Sequence, residues 1–389
     1  MPSLPLARFR SLDAVRALAA VSVLVTHWSG WFLTPPDDAL SWLAARWNEL
    51  FAAVFWAARG IHPGVVVFIV LSGFCIHLPQ ARRTSALPDR SFWKTYARRR
   101  ALRILPVYWV GVVLGALALI VVTAMGVASA SPFADTSWSP GDLTARLLLA
   151  NGVRPGPDLG NGPLDTVAAE AVLYCVYPVL LALRRRWGWK SVFAMSALLQ
   201  GIAVLALRSG WEPRWIGASA LTFHLYWAMG ALAAERFCRA DPARHARPWS
   251  VLVFGFYLVV AHVVRVRGAH LVATAVLGLA AAFALYELMV LERTRQAGAP
   301  MKALAWIGER SYSLYAIHAP LLVVTWVLLA TAGLPPSLAR PALLVAVLAG
   351  TLLTYACVES PSHRWAKGPM RSEASTPLNG EAAGAPRLR

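Results

Sequence analysis

The sequence predicts an all-α integral membrane protein, a bundle of about ten transmembrane helices with both termini in the cytoplasm. Three observations carry that reading. The 389-residue chain is 58% hydrophobic and only 14% charged, too few charges to coat a soluble protein of this size. Its apolar segments recur at the roughly 20-residue length that crosses a hydrocarbon core about 30 Å thick. With the amino terminus inside, 26 of the 37 Lys and Arg residues fall in cytoplasmic segments and nine in outer ones, the asymmetry that orients membrane proteins. A net charge of +18 would suit nucleic acid in a soluble protein. Gathered on one membrane face it favours anionic lipid and anionic cytosolic ligands instead, and no nucleic-acid partner is expected.

The expected spans lie at roughly 12–33, 61–78, 104–127, 163–183, 191–208, 214–234, 249–264, 269–290, 304–330 and 341–358. Arg8 and Arg10 precede the first run as a signal sequence would have them, but the run is longer than a signal core and lacks a small-x-small exit. It is therefore expected to stay as the first span. Residues 37–59, with Trp42, Trp47 and Trp56, read as a helix lying in the outer interface. The connections near 34–60 and 128–162 are too short for a second core. Residues 1–360 thus form one membrane domain, and 361–389 form a cytoplasmic tail whose composition predicts disorder. Cys75, Cys175, Cys238 and Cys357 show no paired spacing, so neither a disulfide nor a metal site is expected.

Ionisable residues at membrane depth need a partner or a cavity. Arg16 and His27 are eleven residues apart in the first span, which places them within about 20° of one another on a helix and about 16 Å apart along its axis. They share one face at two depths. Helical rise puts His27 about 22 Å from the inner edge and Glu170 roughly 10 Å below the outer one, so the two are expected at similar depth. A carboxylate beside an imidazole can fix its tautomer and raise its basicity, as a general base requires; an interhelical polar clamp is the other reading. Ser72-Gly73 reads either as a packing device or as room for a slender ligand. His224 and His318 fall near mid-membrane.

Several motifs then follow in order. Leu12-Asp13-Ala14-Val15-Arg16 with His27, Gly64-Val65-Val66-Val67-Phe68 running to Leu71-Ser72-Gly73-Phe74, and Arg99-Arg100-Ala101-Leu102-Arg103 running to Pro106-Val107-Tyr108-Trp109 come first. Gly162-Pro163-Leu164-Asp165 with Glu170, Tyr174 and Pro178, then Gly308-Glu309-Arg310-Ser311-Tyr312 running to His318-Ala319-Pro320, and Val358-Glu359-Ser360-Pro361 follow. Together they resemble the membrane-bound acyltransferase-3 family over about 350 residues, in its stand-alone polytopic form. Two positions depart from the family pattern: Asp165 stands where Trp is usual, and Ala169 where Val is usual.

The resemblance implies transfer of an acyl group, usually acetyl, from acyl-coenzyme A to a hydroxyl of a carbohydrate or glycosylated small molecule. Acyl-coenzyme A is then a cosubstrate, and no permanently bound cofactor is expected. His27 and Glu170 would be catalytic, by direct general-base transfer or through an acyl-histidine. Arg16, Ser72, Arg99, Arg100 and Arg103 would hold the donor, with Arg82, Arg83 and Arg98 close by, because arginine grips phosphate bidentately; the same arginines also serve as topology signals. Asp165, Tyr174, Tyr312 and His318 would line the acceptor pocket, with Tyr315 as a further hydroxyl-orienting group. The Arg-rich, Lys-poor composition fits a GC-rich bacterium, hence a multi-pass location in the bacterial inner membrane. A secondary transporter or glycan-lipid flippase is the alternative, though repeated halves with matching broken helices are not seen; a non-catalytic member of the same fold is the third reading.

Overall fold

A computed structural model of the chain describes residues 9–32, 61–81, 87–126, 139–152, 159–208, 219–241, 245–246, 249–266, 270–294 and 298–367. The expected interfacial helix with Trp42, Trp47 and Trp56, the residues Arg8, Arg82 and Arg83, and the tail from 368 onward lie outside the described residues. Among the described residues every regular element is helical. In order these are α1 (Arg10–Phe32), α2 (Pro63–Ala81), α3 (Arg90–Ala124), α4 (Pro140–Leu147), α5 (Leu164–Arg208), α6 (Ala220–Arg239), α7 (Ser250–Val266), α8 (His270–Thr294), α9 (Ala299–Gly308), α10 (Ser311–Thr331), α11 (Pro336–Thr354) and α12 (Ser360–Lys367). A π-helical turn, Tyr355–Glu359, joins the last two, so residues 361–367, assigned to the tail from sequence, continue as helix.

Among the described residues six segments are long and apolar enough to cross a membrane: Pro63–Ala81, Arg90–Ala124, Leu164–Leu205, Leu271–Arg293, Ser311–Thr331 and Pro336–Lys367. Helix α5 unites the expected fourth and fifth spans. It breaks at Gly188, whose φ of 80° and ψ of −174° belong to a backbone region that only glycine enters cheaply. The hydrogen bonds show that the chain reverses there. Arg184 and Trp189 both reach Glu235 at the end of α6, whereas further along α5 Ser196 meets His224 and Gln200 meets the Thr222 carbonyl. The second limb therefore runs back along α6, antiparallel to it. The expected span 304–330 is divided, at Glu309-Arg310, into α9 and α10.

Caps set the helix starts outside the spans. Asp89 caps α3 by accepting the Phe92 amide at 2.9 Å. That amide and the Ser91 hydroxyl hold its carboxyl below the ordinary aspartate range. At α4, Ser139 and Asp142 form a reciprocal capping box.

Backbone contact sets the packing of α2 on α6. A Cβ on Gly73 of α2 would lie 2.0 Å from the Trp227 carbonyl oxygen of α6, and one on Gly230 of α6 would lie 1.8 Å from that of Val70. The Ser72-Gly73 pair thus packs through its glycine, as small residues do between membrane helices. Phe74, Tyr177, Phe223, Trp227 and Phe237 close the core around this crossing. Leu205, Leu252, Phe256, Val345 and Leu353 point outward, as lipid-facing side chains do.

One end of the bundle is basic. Ser11 donates its amide and hydroxyl to Glu292 of α8, Arg293 donates to the Phe237 carbonyl, Arg184 pairs with Glu235, and Arg98 donates to the Trp365 carbonyl at 3.0 Å. These contacts draw the start of α1, the ends of α6 and α8, the Gly188 hairpin, the start of α3 and α12 to one side. We predict that Gly230→Leu, which drives a side chain into the Val70 carbonyl, destroys the α2–α6 crossing. Size-exclusion chromatography of the detergent-extracted protein should show its monodisperse peak lost; a wild-type profile would contradict the close approach.

Candidate active site

The first site feature is a cavity of about 720 Å³ at the basic end. Its lining includes Asp13 and Arg16 of α1, Phe68 and Ser72 of α2, Arg99, Arg100 and Arg103 of α3, Glu170 and Tyr174 of α5, Tyr312 and Tyr315 of α10, and Glu359. Eight of the sequence-predicted site residues therefore meet: Arg16, Ser72, Arg99, Arg100, Arg103, Glu170, Tyr174 and Tyr312. Asp13 holds Arg16 at 2.7 Å, and Cys75 accepts from the same guanidinium at 3.3 Å. The i,i+3 spacing of Asp13 and Arg16 could have signalled this pair from sequence.

Inside the cavity one chain of donors ends on a carboxylate. Trp227 Nε1 donates to Ser72 Oγ at 3.3 Å, Ser72 donates to the Tyr174 hydroxyl at 3.1 Å, and Tyr174 donates to Glu170. The Arg100 guanidinium lies over the Tyr96 and Tyr174 rings, 5.7 and 5.4 Å from their centroids, within cation–π range. Its Nε is buried and has no hydrogen-bond partner among the described residues, a donor that an incoming anion can satisfy. Glu359, only 2% exposed, accepts the Ser313 amide at 3.0 Å and its hydroxyl at 2.5 Å. It ties the π-helical turn before α12 to the start of α10, a role that no local spacing announces.

His27 stands elsewhere. Its Nδ1 is 2.8 Å from His318 Nε2, the two rings are nearly parallel with centroids 5.1 Å apart, and the Trp31 ring stacks on His27 at 4.6 Å. His318 Nδ1 in turn lies 2.8 Å from the Tyr315 carbonyl. Phe68 and Tyr315, which line the cavity, pack edge to face at 5.4 Å, and the Tyr315 ring lies 5.8 Å from that of His318. An aromatic layer thus separates the cavity from the histidine pair.

The expected pairing of His27 with Glu170 is therefore not formed, and the reason is the depth of α5. The depth estimate took residue 163 to mark the outer membrane edge. Instead Asn161 Nδ2 donates to the carbonyls of Gly111 and Ala316, at 3.0 and 2.8 Å, both inside other helices. Ala316 is free to accept because Pro320, four residues on, has no N–H to offer it. Helix α5 accordingly starts within the bundle, and Glu170 falls among the arginines of the basic end. His318, expected in the acceptor pocket, is the actual partner of His27. Asp165, also expected there, pairs with Arg146 at 3.0 Å and accepts from Asn151 at 2.8 Å, while the Tyr108 hydroxyl donates to the Arg146 carbonyl at 2.9 Å. That cluster braces the start of α5 and does not line the cavity. His224 makes an interhelical hydrogen bond with Ser196 at 2.8 Å.

These features define a multi-pass membrane protein with ionisable groups built into its helices at two levels, a cationic cavity and a histidine pair behind an aromatic layer. The chain belongs to the acyltransferase-3 family, whose model, described as an acyltransferase domain, matches residues 9–356. It is also similar to Nodulation protein 10 of Rhizobium leguminosarum bv. viciae, with 25% identity over 238 residues covering 57% of this chain and 59% of that protein. The chain thus spans under two thirds of the length of that relative. No solved structure matches.

Proposed function

We propose that the protein is a membrane O-acyltransferase that moves an acyl group, acetyl in the first instance, from acyl-coenzyme A to a hydroxyl of a carbohydrate or glycosylated small molecule. The observation that carries this reading is that the arginine-lined cavity is bounded by Tyr315, whose ring packs on His318, the partner of His27. Coenzyme A brings several phosphate charges. Arg99, Arg100 and Arg103 offer them planar donor forks, among them the unsatisfied Arg100 Nε. Arg16, held by Asp13, stands further in to meet the pantetheine arm. Glu170 belongs to this donor site, where it orders Tyr174 and Ser72. It is not the partner of His27.

Ten spans with both termini cytoplasmic remain our proposal for topology, supported by the reversal at Gly188 and by the basic residues collected at one end. The donor then enters from the cytoplasm of a bacterial inner membrane. Its thioester must pass Phe68 and Tyr315 to reach the imidazole, and the acceptor approaches from the outer side. His27 takes the hydroxyl proton as the oxygen attacks the thioester carbonyl.

His27→Ala should abolish transfer, while Arg16→Ala should raise the KM for acetyl-coenzyme A more than it lowers kcat. Steady-state kinetics in proteoliposomes separates the two, and substantial turnover by folded His27→Ala protein would remove the histidine from the chemistry. Sidedness has its own test in vesicles of fixed orientation. Product should form with donor at the cytoplasmic face and acceptor at the outer face; product formed only with both at the cytoplasmic face would overturn transfer through the membrane.

A further inference from the structure

A neutral imidazole carries one proton on two nitrogens, so fixing one nitrogen as a donor leaves the other as an acceptor. A backbone carbonyl can only accept. His318 Nδ1, 2.8 Å from the Tyr315 carbonyl oxygen, is therefore the protonated nitrogen of that ring, and its Nε2 is the acceptor. His27 Nδ1 lies 2.8 Å from that Nε2 and must donate to it. The single proton of neutral His27 is thereby fixed on Nδ1, and its lone pair on Nε2. Among the described residues nothing hydrogen-bonds to His27 Nε2.

The same reasoning gives the opposite tautomer at His62. There the Gly64 amide donates to Nδ1 at 3.0 Å, and the Thr26 hydroxyl spends its proton on the Ser22 carbonyl at 2.9 Å. His62 Nε2 must then donate to Thr26 Oγ1 at 3.0 Å. Local partners, not residue type, decide the tautomer.

We propose that His318 is a positioning residue that holds His27 in the tautomer with a bare Nε2, making that nitrogen the base of acyl transfer. The proposal rests on the acyltransferase reading given above. As the acceptor oxygen attacks the thioester carbonyl carbon, its proton passes to His27 Nε2. The C–S bond then breaks, and the departing thiolate takes that proton to leave as coenzyme A thiol. Through both steps His27 keeps its Nδ1–H on His318, which keeps its own on the Tyr315 carbonyl. A carboxylate could orient the ring equally well, but it would set an ion at membrane depth, where a charge needs its own partners. The imidazole–imidazole–carbonyl chain does the same with no permanent charge, and it explains why Glu170 is not needed at His27.

The direct test is magic-angle-spinning NMR of ¹⁵N-histidine-labelled wild-type protein in lipid nanodiscs, with the His27 resonances identified by their loss in His27→Asn. We expect neutral His27 to be protonated on Nδ1; protonation on Nε2 would overturn the proposal whatever the activity. In the kinetic arm, His318→Phe should lower kcat on the order of 100-fold with little change in the KM for acetyl-coenzyme A. His318→Gln, whose amide oxygen can accept from His27 Nδ1, should recover part of the loss. Wild-type kcat in His318→Phe would also overturn it, and if these variants fail to fold the wild-type spectrum still decides. An active His27→Ala would instead remove the catalytic reading while leaving the tautomer standing.

Discussion

In an apolar bundle every backbone carbonyl needs a donor, because lipid supplies none, and this constraint decides where the ionisable groups of this protein meet. Prolines inside helices create the shortfall. Pro320 leaves the Ala316 carbonyl open, and Asn161 fills it at 2.8 Å. Pro178 does the same to the Tyr174 carbonyl, which the Tyr96 hydroxyl fills at 3.1 Å. The first repair pins the start of α5 within the bundle; the second locks α5 to the arginine-bearing start of α3. Between them they fix Glu170 and Tyr174 in the cationic cavity.

The groups that meet differ between the two levels. At the basic end Glu235 accepts from Arg184 at 2.9 Å and Trp189 at 2.7 Å and also pairs with Arg239. Breaking such a buried cluster by removing one partner typically costs about 3–5 kcal/mol, which favours a rigid basic end. Behind the Phe68 and Tyr315 rings the hydrogen-bonded partners of His27 are an imidazole and, through it, a carbonyl. Under the proposed reading, a highly charged donor binds at one level while the base that takes the proton is held by partners that carry no fixed charge.

Much of this was legible in the sequence. Hydropathy located the helices, including the reversal at Gly188 as two successive spans. The expected donor residues Arg16, Ser72, Arg99, Arg100 and Arg103 line one cavity, but they share it with Glu170, expected beside His27, and with Tyr174 and Tyr312, expected in the acceptor pocket. Depth did not survive, because an apolar run records where a chain is greasy and not how far its first turn has sunk. Asn161 is an ordinary loop residue until the carbonyl freed by Pro320 is placed beside it. The partner of His27 was equally hidden: 291 residues separate it from His318, and a carboxylate at apparently matching depth was the more familiar companion. Asp165 and Arg146, 19 positions apart, meet where the Ala150–Gly152 turn packs against α5.

The central claim is that the reacting carbonyl comes to His27 while the donor's phosphates stay with the arginines. A cryo-electron microscopy structure with a non-hydrolysable thioether analogue of acetyl-coenzyme A tests it most directly. Phosphate density is expected against Arg99, Arg100 and Arg103, with the pantetheine arm threading past Phe68 and Tyr315 to end within reach of His27 Nε2. An acyl end lodged in the cavity beside Glu170 and Tyr174, with the aromatic layer closed over it, would contradict it.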